Sequence, residues 1–88
     1  MVTVYGLMVC PDTVEALRLL REKHVDFVYK DFGEATQHLK EFLAYRDDPK
    51  YKHIFDPVRQ AGGIGIPLFV TDGGVVTDDV AQIIQGKV

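Results

Sequence analysis

The chain opens on Val2-Thr3-Val4-Tyr5, a β-branched and aromatic run that ends at Gly6 and predicts a buried first strand. After the Leu7-Met8-Val9-Cys10 connection comes Pro11, whose missing N–H is harmless in a first helical turn, and then Asp12, which suits the positive end of a helix dipole. A helix is therefore expected from about Cys10. Between Thr13 and Lys23 the apolar residues Val14, Ala16, Leu17, Leu19 and Leu20 leave only Glu15, Arg18 and Glu22 as a polar stripe, which predicts a helix packed on nearly all sides. Val25 to Tyr29 alternates with strand period until Gly33 breaks it, and a strand, helix and strand in succession imply a right-handed crossover and a parallel pair.

Ala35, Leu39, Phe42 and Leu43 recur on one helical stripe opposite Glu34, Gln37, Lys40 and Glu41, so a second helix is expected to about Arg46. Tyr51, Ile54, Phe55 and Val58 continue the helical spacing, but Pro57 interrupts them and Gly62-Gly63 closes the stretch, which predicts only a short helical turn or two between Pro49 and Ala61. Ile64 to Val70 is the most apolar run. With Thr71-Asp72-Gly73-Gly74 and Val75-Val76 it reads as an antiparallel hairpin. Thr77 or Asp78 then caps a final short helix that turns Val80, Ile83 and Ile84 inward. The order is βαβαββα, an α/β chain with a mixed sheet.

At 88 residues the chain is expected to form one domain, residues 1–88, around a single core. A hydrophobic fraction of 47% and a charged fraction of 26% are those of an ordinary globular protein, and no apolar run reaches the ~20 residues of a membrane span. Met1 to Cys10 contains no Lys or Arg, so no secretory signal is read there and the cytoplasm is the expected compartment. A net charge of −3 with interspersed signs gives no electrostatic footprint for nucleic acid or anionic lipid, and neither partner is expected. One cysteine excludes an intrachain disulfide and multi-cysteine metal sites, and His24, His38 and His53 have no metal-site spacing. Cys10 is then either a buried filler or a free reactive thiol.

Cys10-Pro11-Asp12-Thr13 opening the first helix, together with Gly65-Ile66-Pro67 opening the third strand, resembles the glutaredoxins across nearly the whole chain in element order. The resemblance implies a thioredoxin fold, a four-stranded mixed sheet flanked by helices. It also implies a cis Ile66–Pro67 bond lying against Cys10, with the Ile66 backbone holding the cysteinyl part of a bound thiol. A thiol at a helix N-terminus faces unpaired N–H groups and the positive dipole end, which favour the nucleophilic thiolate, while the Asp12 carboxylate opposes it. Thr13 stands where dithiol relatives carry a second cysteine, so the implied activity is monothiol exchange, with a mixed disulfide on Cys10 released by an external thiol. The Thr13 hydroxyl is expected either to donate to the Cys10 sulfur or to cap the helix.

Thr77-Asp78-Asp79 resembles the acidic turn that binds the γ-glutamyl ammonium of glutathione, with Val76 and Thr77 in place of the usual Gly-Gly; a helix cap with solvated acids is the competing reading. Leu7 and Gly63 stand where relatives carry groups that hold the glycyl carboxylate. The expected partners are a small thiol such as glutathione, acting as co-substrate, and protein mixed disulfides; no metal or organic cofactor is required, and a monomer is expected. Two alternatives remain open: a glutathione-dependent iron–sulfur carrier, against which the rigid Pro11 argues, and a redox-inactive interaction module.

Overall fold

The computed structural model describes residues 1–86. Val2–Gly6 form β1, with Val2, Val4 and Tyr5 buried. α1 spans Pro11–Glu22 and returns the chain to β2, Phe27–Asp31, which lies parallel to β1 with Val2 opposite Phe27 and Gly6 opposite Asp31. β3, Leu68–Thr71, pairs antiparallel with the other edge of β1, and β4, Val76–Thr77, pairs antiparallel with β3. The sheet is mixed and four-stranded, in the order β2-β1-β3-β4.

Alternation along β1 sends neighbouring side chains to opposite faces of the sheet, and helices cover both. Val2 and Val4 meet Ala16, Leu17 and Leu20 of α1, Phe69 of β3 and Ile83 of α4, which spans Val80–Gly86. On the other face Tyr5 and Leu68 meet Phe42 of α2, Thr36–Arg46, and Phe55 of α3, Lys52–Gln60; a 3₁₀ turn at Pro49–Tyr51 joins those two helices. Phe42 and Phe55 pack edge to face, with ring centroids 6.0 Å apart. The architecture is thus α/β, a mixed sheet flanked by helices, and no helix among the described residues is long and apolar enough to cross a membrane.

Several elements depart from the periodicity. α1 is not packed all round: Val14 is 43% exposed, and the buried face is Thr13, Ala16, Leu17 and Leu20. Leu39 of α2 also faces outward. β2 starts at Phe27 and not at Val25, because the end of α1 uses the intervening residues. His24 adopts φ 57°, and the N–H groups of His24 and Val25 donate back to the carbonyls of Arg21 and Leu20.

Proline did not stop α3. Pro57 lies inside a nine-residue helix, which loses one backbone hydrogen bond there but keeps Phe55 fully buried and Ile54 packed on the core. Gly62, at φ 77°, then ends α3 as its neighbour Gly63 donates to the Val58 carbonyl at 2.8 Å. The apolar run enters the sheet only at Leu68; Gly65 before it has φ 100°, Pro67 has no N–H to give to the ladder, and the Ile66–Pro67 bond is cis. The last helix begins after Asp79, whose carboxylate accepts from the Ala81 N–H at 3.0 Å, so neither Thr77 nor Asp78 caps it; the Thr77 hydroxyl accepts from the Asp79 N–H instead.

Candidate functional site

β1 and α1 together fix Cys10. The chain leaves the sheet at Gly6, passes through Leu7, Met8 and Val9, and reaches Cys10 as the N-cap residue of α1, with extended backbone at φ −91° and ψ 117°. The Cys10 N–H donates to the Leu7 carbonyl at 3.0 Å, and its carbonyl accepts from Val14 at 3.2 Å, so this turn is closed on both sides. The thiol is half-buried and free. Cys10 holds the N-cap position, but its side chain makes no capping hydrogen bond to the first-turn N–H groups of α1.

A cleft of about 800 Å³ opens over this thiol. Cys10 and Asp12 from the start of α1, Gly65, Ile66 and Pro67 from the approach to β3, and Asp78 and Asp79 from the turn before α4 line it together; Leu7 and Gly63 also border it. Three other candidates lie apart from the lining. Pro11 is exposed on the helix start, Thr77 is 5% exposed within β4, and Thr13 is wholly buried.

Thr13 meets neither expectation for its hydroxyl. Its Oγ1 has no hydrogen-bond partner, so it neither contacts the Cys10 sulfur nor caps α1. The side chain is pressed against β1 at Gly6, where a Cβ would lie 2.7 Å from Oγ1 and 2.8 Å from Cγ2. Gly6 thus permits α1 to approach the sheet closely just below the cysteine. Thr13→Val keeps the branched shape and removes a buried hydroxyl with no partner, and is expected to raise stability by about 1 kcal/mol. A lower melting temperature for Thr13→Val would contradict this account of the hydroxyl.

Beneath the Cys10 loop lies a carboxylate that the sequence did not single out. The register that sets Asp31 opposite Gly6 carries its side chain, 7% exposed, under Met8. Asp31 Oδ2 accepts from the Met8 N–H at 3.0 Å and from the Tyr29 hydroxyl at 2.6 Å, while Oδ1 accepts from the Gly33 N–H at 2.6 Å. The Tyr29 hydrogen bond, with those from Gly33 and Met8, holds the Asp31 carboxyl below the usual carboxylate range against the opposing effect of its burial. Burial and the Asp31 hydrogen bond push the Tyr29 hydroxyl well above its ordinary value, and a negative Cys10 acts on it in the same direction. His38 Nδ1 lies 2.7 Å from the Asp31 carbonyl, tying α2 to the same strand end. The local signal was Asp31-Phe32-Gly33, an Asp two residues before a glycine, which forms a side-chain turn; the bond to Met8 is non-local and leaves no sequence trace.

A second polar tie lies on the opposite side of β1, where the Tyr5 hydroxyl and Lys30 ammonium both donate to Glu41 Oε1, at 3.0 and 2.7 Å. It joins β1, β2 and α2 away from the cleft. Among the described residues, no three His, Cys, Asp or Glu side chains converge as metal ligands. The cleft thus offers a free thiol, a Gly65-Ile66-Pro67 segment and a set of carboxylates. No known protein family, curated protein or solved structure matches this chain.

Proposed function

We propose that this chain is a glutaredoxin-like thiol–disulfide oxidoreductase of the thioredoxin fold that works through Cys10 alone. The observation that carries the reading is the cleft itself: Cys10 at the start of α1 and the Ile66-Pro67 segment, far apart in sequence, line one cavity. Support also comes from the sheet order and helices on both faces. In the first step the Cys10 thiolate attacks a disulfide, one S–S bond forms as the other breaks, and the departing thiolate takes a proton from water. Cys10 opens α1 as its N-cap residue, at the positive end of that helix's dipole. Thr13 offers no second sulfur, so a small thiol, glutathione or a similar one, attacks the mixed disulfide and frees Cys10. Such a cycle suits a thiol-reducing compartment such as the cytoplasm.

Intact mass spectrometry tests this directly. The protein is incubated with oxidised glutathione and, separately, with cystine and hydroxyethyl disulfide. The expected result is a single adduct on Cys10, removed by excess reduced thiol and absent in Cys10→Ser. No adduct with any of the three disulfides would remove the basis for the proposal.

A further inference from the structure

We infer that the disulfide Cys10 attacks belongs to a polypeptide segment with basic residues beside its cysteine, in preference to an acidic one; this rests on the exchange reading above. Charge is the first ground. Asp12, Asp78 and Asp79 all line the cleft, and no Lys, Arg or His does so among the described residues. The Asp79 carboxylate accepts one backbone N–H, and among the described residues neither Asp12 nor Asp78 forms an ion pair or a side-chain hydrogen bond. Glu15 also borders the cleft, but Arg18 neutralises it at 2.7 and 2.8 Å. Arg59 pairs with Asp56, and Arg46 reaches the edge of the cleft only through its bond to the Gly63 carbonyl, without pairing with any of the three aspartates. Among the described residues the cleft lining therefore carries net negative charge, which attracts a cationic partner and opposes an anionic one.

Size and apolar surface decide for a polypeptide over a small thiol. A cleft of about 800 Å³ is larger than a single cysteine-sized moiety fills, and its rim continues into exposed apolar side chains, Met8 at 51%, Val9 at 85% and Ile64 at 54%. A small thiol leaves that rim in water. A segment of several residues covers it. Basic residues beside its cysteine then meet Asp12, Asp78 and Asp79, which line the same cleft.

The test uses three symmetric peptide disulfides, each a short peptide with its cysteine flanked by lysines, serines or glutamates. Symmetry makes attack at either sulfur equivalent: the Cys10–peptide S–S bond forms, the peptide S–S bond breaks, and one peptide thiolate leaves and is protonated by water. Rates of adduct formation are normalised to the reaction of each peptide disulfide with 2-mercaptoethanol, which removes differences in leaving group. The normalised lysine-to-glutamate ratio is expected to be roughly ten-fold at low ionic strength and to fall towards one in about 0.5 M salt. In the combined Asp12→Asn, Asp78→Asn, Asp79→Asn variant the ratio also falls towards one; asparagine at position 79 can still accept from the Ala81 N–H. A ratio near or below one in the unaltered protein at low salt, with all three peptides forming adducts faster than with free cysteine, overturns the inference and leaves exchange standing. Adduct formation no faster than with free cysteine for every peptide overturns both.

Discussion

Asp31→Asn is expected to destabilise the fold by roughly 3 kcal/mol and to lower Tm by about 15 °C. The reason is the number of donors that converge on one buried carboxylate: the Met8 and Gly33 N–H groups and the Tyr29 hydroxyl. An amide can accept from some of them, but its NH₂ must confront at least one donor, so a buried polar group is left without a partner. The effect also carries a pH signature. Since the Asp31 carboxyl is held below its usual range in the folded chain, its stabilisation is complete above the unfolded value of about 3.9 and is lost as pH falls through the lower folded value. Urea unfolding across pH should therefore show a gap between the two proteins that is flat above about pH 5 and narrows below about pH 4. A gap that stays constant into strong acid contradicts this role. Hydrogen exchange at the Met8 or the Gly33 amide should quicken in the variant, because the asparagine NH₂ takes the place of the oxygen that one of them donates to.

Gly65→Ala is the second large effect. Gly65 has φ 100°, in the region that side-chain-bearing residues rarely adopt, and a Cβ there would lie 2.7 and 2.9 Å from two carbons of the Phe55 ring. Phe55 is fully buried against Phe42 and has no free side to move into. Backbone strain and overpacking together are expected to remove about 3 to 4 kcal/mol. Gly62→Ala is the internal control: its φ of 77° imposes similar backbone strain, but nothing lies within 4 Å of a Cβ there. Chemical denaturation should therefore separate the two, with Gly62→Ala losing only about 1 kcal/mol. Equal losses would mean that the Phe55 contact is not what requires glycine at position 65. Gly65→Ala should also slow exchange at Cys10 beyond its effect on stability, because the same residue lines the cleft wall leading to Ile66 and Pro67.

What was legible in the sequence followed from local rules. The β-branched run at Val2, the Pro11 helix start and the Asp-Gly-Gly hairpin each depend on a few neighbouring residues, and each lies close to where it was expected. The resemblance to the glutaredoxins implied that Cys10, Ile66, Pro67, Asp78 and Asp79 meet, and the cleft that they line together agrees with it. Illegible features depended on contacts between distant segments. Pro57 lies within α3 because Phe55 packs into a core made by other elements, and the local cost of proline was the smaller effect. Val14 is apolar and exposed because burial was assigned from hydrophobicity, whereas the sheet selects the Thr13, Ala16, Leu17 and Leu20 face. Asp31 was not singled out in the sequence, and only the parallel register with β1 brings it under Met8.

The central claim is that this fold makes Cys10 an exchange nucleophile, and the most direct test compares one cysteine in two states of the same chain. The second-order rate of adduct formation at Cys10 with hydroxyethyl disulfide is measured at neutral pH in the folded protein and again in urea, with free cysteine in each solvent as the reference. The predicted result is a folded chain that outpaces free cysteine, because the fold presents the Cys10 thiol in an open cleft at the positive end of the α1 dipole, and an unfolded chain that matches free cysteine. A folded chain that reacts no faster than free cysteine, while the unfolded chain reacts normally, would show that the fold only shields Cys10 and would leave the redox-inactive reading in its place.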